Sequence, residues 1–320
     1  MLLGKGERVE VTGTPIREAS LRLTQRDATV PTPDTNIKLQ HALTVDVEDW
    51  PQSSLDHSLP ITDRAVTNTR RMLELFDECD VKGTFFVLGL LAEKFPGVVR
   101  DIAAAGHEIG SHGYSHKAVF AIGSEAFADE LDRSCKLLED ISGSAVHGYR
   151  APDFSITDES LWALDILADQ GLEYDSSIMP VQMKRYGIDG YPQAMHRLSN
   201  GLVEVPLSVT RIMGRLTPVA GGGYLRLFPH RVTAQAIRQL QSEGTPAIVY
   251  LHPYELDAQE VHEIRPGVSA RTKLTQGLNR KHVAGRLRRL FEEFDFGPLS
   301  QVIPNHVSEV GVQSSVVNSQ

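Results

Sequence analysis

Two histidines four residues apart, His112 and His116, stand in the string Ser111-His112-Gly113-Tyr114-Ser115-His116, directly after a short apolar run. If this segment turns into a helix, positions i and i+4 share a face and both rings reach one ion. An acidic cluster, Asp46-Val47-Glu48-Asp49, ends a β-prone run upstream, and His252 ends another far downstream. Two imidazoles and one carboxylate leave coordination positions open, as a catalytic rather than a structural metal site requires. A divalent ion held this way lowers the pKa of water and polarises a carbonyl, which is the chemistry of hydrolysis. Side chains alternate along a strand, so Asp46 and Glu48 share a face while Asp49 points away. That favours Glu48 as the ligand carboxylate, with Asp49 the alternative if the chain turns after Val47.

These residues need elements to hold them. Residues 41–45 and Gly83–Leu88 read as β-strands from their β-branched and aromatic content, and a third strand spans His107–Gly110. Apolar periodicity predicts helices over Pro60–Asp80 (with Thr62 as N-cap), 90–105, Glu125–Ile141, Asp158–Gln170, Pro229–Glu243 and 283–294. Short strands are expected at 147–150, 172–175 and 247–251, and the middle from Ser177 to Tyr224 reads as loop-rich, with two recognisable pieces at 203–206 and 221–224. Strand and helix alternate, which argues for a parallel sheet with outer helices. Polar motifs end nearly every strand: Asp46, the His112 region, Arg150, Asp175 and His252. That distribution favours an α/β fold of the distorted (β/α) barrel type, with its site at the strand C-termini, over an open doubly wound sheet.

Composition removes several classes. The 320 residues carry a net charge of −9, with 41% hydrophobic and 23% charged residues, so a nucleic-acid partner is not expected. The two cysteines, Cys79 and Cys135, read as small core residues rather than ligands or a disulfide framework. No run of 18 apolar residues predicts a transmembrane helix. No secretory signal is seen at the N-terminus, which makes the cytoplasm the expected compartment, with a membrane-proximal position the alternative within it. Residues 1–38 read as a poorly ordered arm, 39–256 as the catalytic domain, 257–304 as a C-terminal extension packed on the barrel, and 305–320 as a flexible tail. Oligomeric state is not legible.

Five blocks in order resemble the polysaccharide deacetylases, the chitooligosaccharide deacetylase homology domain of the carbohydrate esterase type. They are Thr44–Trp50, Ser111–His116, Gly148–Phe154, Tyr174–Ser177 and Val249–Pro253. The Asp-Val-Glu-Asp-Trp string, the Gly221–Arg226 piece and the helix before Phe296 are similar to one branch, associated with exosortase-linked exopolysaccharide loci and carrying an extra C-terminal segment. The chain departs from the usual first block, where two aspartates are adjacent; here Val47 separates Asp46 from Glu48.

The resemblance implies a seven-stranded barrel that hydrolyses N-acetyl groups from a hexosamine-containing glycan or its precursor. It implies a divalent metal, Zn²⁺ by expectation, on Glu48 (or Asp49), His112 and His116. Asp46 would be the general base and His252 the general acid. Arg150 would orient Asp46, and Asp175 would orient His252. Pro152, Asp153, Tyr224, Leu251 and Trp50 are the expected substrate contacts, through an oxyanion N–H near Asp153, an acetyl pocket beside Tyr250 and Leu251, and sugar stacking on Trp50 or Tyr224. Core packing or loop anchoring is the competing reading for those two aromatics. Gly221–Gly223 reads as a turn needing positive φ rather than a phosphate loop, since no Lys-Ser/Thr follows. Two other readings stand beside this one: a small cyclic amide or ureide hydrolase on the same fold, and a non-catalytic glycan-binding protein.

Overall fold

The computed structural model describes residues 39–219, 221–263 and 268–312. The expected N-terminal arm and the end of the tail, from 313, lie outside them. Twelve strands occur among the described residues: β1 (Gln40–Val47), β2 (Thr84–Val87), β3 (Glu108–Ser111), β4 (Gly148–Tyr149), β5 (Tyr174–Asp175), β6 (His196–Leu198), β7 (Val203–Glu204), β8 (Val209–Ile212), β9 (Arg215–Pro218), β10 (Ile248–Leu251), β11 (Asp295–Gly297) and β12 (Ser308–Val312).

Seven of them run parallel in the order β10-β1-β2-β3-β4-β5-β7, and outer helices cover them. This is the distorted (β/α) barrel. Backbone pairing does not close the ring between β7 and β10. There the Ile248 amide donates to Ser208 Oγ at 2.7 Å, a side-chain bond where a ladder would otherwise run.

β1 is the hub, paired with β2, β10 and β11. Its alternation sorts the molecule into layers. Leu43, Val45 and Val47 face the large cluster under the helices with Phe85 and Val87. Ala42 faces the interior cluster with Phe86, Tyr174 and Tyr250. Asp46 and Glu48 continue the parity of Ala42 and Thr44 toward the interior end. The outer helices bury one stripe each. Helix Ser124–Ser142 buries Phe127, Leu131, Ser134 and Leu138, and Gly143 at φ 72° ends it by donating its N–H to Glu139 O. Each such Leu or Phe stabilises by roughly 1.5–3 kcal/mol.

The structure differs from the sequence expectations in several places. The helix expected over 90–105 is two, Gly89–Lys94 and Pro96–Ala104. Pro96 lacks the N–H that a continuous helix needs and clashes with the preceding turn. Thr62 holds the N-cap position, but its side chain makes no capping bond. The loop-rich middle contains β6 and a two-stranded β8–β9 hairpin, whose turn residues Met213 and Gly214 have φ of 51° and 82°. Two positive φ values make the compact turn that matches strand twist. Part of the expected tail is β12, parallel to β6. Both cysteines are free.

Candidate active site

Asp46 and Glu48 stand at the end of β1 and are buried, at 2% and 5% exposure. Arg150, just after β4, is fully buried against them. Its Nη1 donates to Asp46 Oδ1 at 2.9 Å and to Thr44 Oγ1 at 2.7 Å. Its Nε donates to Ser176 O and its Nη2 to Ser176 Oγ, both at 2.9 Å. The guanidinium also lies 4.4 Å from the Phe86 ring centroid. A planar fork with this many fixed acceptors locks one carboxylate rotamer.

The His112–His116 segment is not a helix. Gly113 and His116 take positive φ, 72° and 62°, and the turn folds both rings back onto Glu48. Helix Ser124–Ser142 pins that turn: Ser134 Oγ donates to Gly113 O at 3.1 Å, and Ser115 Oγ donates to Glu130 at 2.7 Å. His116 Nε2 lies 2.5 Å from Glu48 Oε2, and His112 Nε2 lies 3.5 Å from it. His112 Nδ1 is 2.8 Å from Arg150 O, a carbonyl that can only accept. Nδ1–H is thus committed to that carbonyl and Nε2 is the nitrogen turned toward Glu48, the orientation seen in metal-ligating histidines.

Glu48, His112 and His116 are a buried group whose ligand atoms lie within 4.8 Å of one another. Burial opposes charge on Glu48, yet His116 and His112 hold its carboxyl well below the usual range. This anionic carboxylate with two imidazoles is a donor set that suits a divalent ion. Asp49 faces elsewhere: it accepts from Thr62 N at 3.0 Å and Thr62 Oγ1 at 2.9 Å.

His252 follows β10 and closes the opposite wall. Its Nε2 lies 3.9 Å from Asp46 Oδ2 and 3.7 Å from Glu48 Oε1. Burial disfavours its charge, but Glu255, Glu48 and Asp46 together push the imidazole up to about 9. The ring stacks on Tyr254, centroids 4.8 Å apart. Asp175 does not reach it. That carboxylate accepts from Ser177 N at 3.0 Å and Ser177 Oγ at 2.6 Å, and bonds to the buried Glu204. Glu255 is the acid beside His252, with Oε1 3.8 Å from Nδ1.

The cleft over these groups has a volume of about 310 Å³ and is also lined by Asp153, Tyr186, Tyr224 and Tyr250. Of the expected substrate contacts, Asp153 and Tyr224 face it. Trp50 does not: it is fully buried in a small core with Tyr254 and Val261, under the Arg280 guanidinium. Leu251 belongs to the core under the helices, because alternation along β10 turns Tyr250 inward instead. Pro152 is buried and does not line the cleft. The glycine run is explained by close approach as well as by φ. A Cβ on Gly221 would stand 1.9 Å from the Tyr250 ring, and Gly222 has φ 40°.

Residues 42–174 match the family model described as polysaccharide deacetylase, and residues 176–304 match one described as a domain of unknown function, DUF3473. Residues 42–174 belong to the polysaccharide deacetylase family. A peptidoglycan deacetylase of Helicobacter pylori is 38% identical over 112 residues, covering 34% of this chain and 36% of the relative. A peptidoglycan-N-acetylglucosamine deacetylase of Bacillus cereus is 35% identical over 98 residues, covering 30% of this chain and 36% of the relative. The chain thus spans about a third of the length of these curated relatives. A crystal structure named as a candidate polysaccharide deacetylase from Mycobacterium smegmatis shares the fold, with TM-score 0.62 at 21% identity over 89% of this chain and 96% of that one.

The polysaccharide deacetylase span contains Asp46, Glu48, His112, His116 and Arg150, while Tyr224, His252 and Glu255 come from the second span. Sequence reasoning passed over Glu204, Arg226, Tyr254 and Glu255. Glu255, three residues after His252 and on the same short turn, was the one with a local signal. His57 was also given no role; it stacks on His116 at 5.3 Å, and with Asp153 and His116 it forms a second, more exposed group of possible ligands. Among the described residues no helix is long and apolar enough to cross a membrane.

Proposed function

We propose that the protein hydrolyses N-acetyl groups on a hexosamine-containing polysaccharide or its precursor, and that Glu48, His112 and His116 hold a divalent ion, Zn²⁺ for preference. The observation that carries this reading is the placement of Asp46 Oδ2 and His252 Nε2 3.9 Å apart beside the Glu48–His112–His116 group. The ion would polarise the acetyl carbonyl and acidify water. Asp46, oriented by Arg150, takes the proton of the attacking water. His252 delivers a proton to the departing sugar nitrogen, without which the amine is a poor leaving group. The backbone N–H of Asp153 is the candidate second donor to the oxyanion. Tyr224 and Tyr186, half-buried at the cleft, offer faces for sugar rings. The resemblance of the second span favours an exopolysaccharide over a wall polymer as substrate.

The test is acetate release. Protein stripped with a chelator and reloaded with Zn²⁺ is assayed on N-acetylated glucosamine oligomers and on an acetylated exopolysaccharide. Activity that disappears with the metal and returns with it is expected. Full turnover by metal-free protein, or no release from any N-acetylated glycan by loaded protein, defeats the reading.

A further inference from the structure

We infer that Glu255, clamped by Arg226, is the positioning residue of His252, and that residues 275–276 of the C-terminal region complete the clamp. The inference rests on the deacetylase reading for the role of His252 but not for the contacts themselves. With Nε2 facing Asp46 and Glu48, the other ring nitrogen is turned toward Glu255, at one side of the same cleft. That Nδ1 is buried and has no hydrogen-bond partner among the described residues. Glu255 Oε1 faces it at 3.8 Å. Hydrogen bonds of this kind are often long without substrate and tighten when it binds.

Glu255 is 1% exposed and is fixed from two sides. The His252 amide donates to its Oε2 at 3.5 Å, and Arg226 Nε donates to its Oε1 at 3.3 Å. Arg226 is itself buried, and its Nη1 donates to Gln276 O at 2.6 Å and Thr275 O at 3.2 Å. A carboxylate that accepts from Nδ1–H decides which nitrogen of a histidine carries the proton and where the ring points. Asp175 has no path to this ring, because Ser177 and Glu204 occupy it.

The test uses the full, metal-loaded chain and two substrates. An acyl group on a sugar nitrogen needs an acid for its leaving group; 4-nitrophenyl acetate does not. Glu255→Gln should lower kcat on the N-acetylated oligomer by roughly 10²-fold or more with little change in KM, and the loss on the aryl ester should be at least tenfold smaller. Arg226→Met should follow Glu255→Gln, with Arg226→Lys recovering part of the amide activity. Parallel losses on both substrates overturn the inference.

Ring-¹⁵N NMR of His252 supplies a readout that does not need turnover. The Nδ1 signal should move in Glu255→Gln and, in the same direction, in Arg226→Met. If loaded wild-type protein released no acetate, the deacetylase reading would fall while this signal still decided the contact. Unchanged His252 signals in both variants overturn it.

Discussion

Asp175 and Glu204 lie side by side on neighbouring strands, both fully buried and hydrogen-bonded to each other within the field of Arg150. Two carboxylates in contact cannot both ionise cheaply, so one proton is shared between them. Burial raises both, and Glu204 is driven well above its usual value by burial and by Asp175. The folded state therefore holds a proton that the unfolded chain has released above its ordinary carboxylate range. Stability from this pair is greatest at low pH and declines as pH rises. Glu204→Gln keeps the hydrogen bond without the titration. It should gain stability relative to wild type as pH is raised from 5 to 8 in urea unfolding. Glu204→Ala should instead lose about 1–3 kcal/mol for the stranded partner, plus a cavity cost. A Glu204→Gln difference that does not change with pH would contradict the shared proton.

Glu48 and Asp49 make opposite predictions. Glu48→Gln should abolish stoichiometric Zn²⁺ uptake, read by metal analysis after gel filtration, with a modest effect on folding. Asp49→Asn should keep the metal and cost about 1 kcal/mol in unfolding free energy, because what it weakens is the pair of bonds from Thr62. Uptake lost in Asp49→Asn and kept in Glu48→Gln would reverse the assignment.

His41 and His107 predict acid sensitivity. Each accepts a backbone N–H at Nδ1, from Ala247 at 2.9 Å and from Gly83 at 3.2 Å. Protonation there would break the bond, and burial lowers both imidazoles to about 4. The unfolded chain binds these protons near 6.5 and the folded one only near 4, so stability is lost as pH falls through that window. The loss is on the order of 3 kcal/mol for each. His107→Gln should flatten the stability profile between pH 6.5 and 4 relative to wild type. An unaltered slope would show that His107 titrates normally.

Much of the site was readable because β1 alternates. The parity that buries Leu43, Val45 and Val47 under the helices sends Asp46 and Glu48 to the other side, so a strand rule alone separates Glu48 from Asp49. The histidine pair was found by spacing, yet the helix invoked for it is absent. Gly113 and His116 in left-handed backbone do the same work, and only a contact with helix Ser124–Ser142 shows why the turn holds. Trp50 and Leu251 were misplaced because motif proximity says nothing about which way a side chain faces after the strand ends. Glu204 and Arg226 had no mark that tied them to a partner; Asp175 meets Glu204 through strand pairing, and Glu255 meets Arg226 through chain reversal.

The border between the two matched spans falls at Asp175, inside a single hydrogen-bonded strand. On one side of it stand Asp46, Glu48 and the imidazole pair; on the other stand His252 and the residues that hold it. A recombination or truncation that breaks the chain there leaves two fragments, each with half of the proposed site and an open sheet edge. The residues proposed for the reaction are thus divided between two separately matched spans, and a change in the second reaches the proposed chemistry through the β10 wall that carries His252.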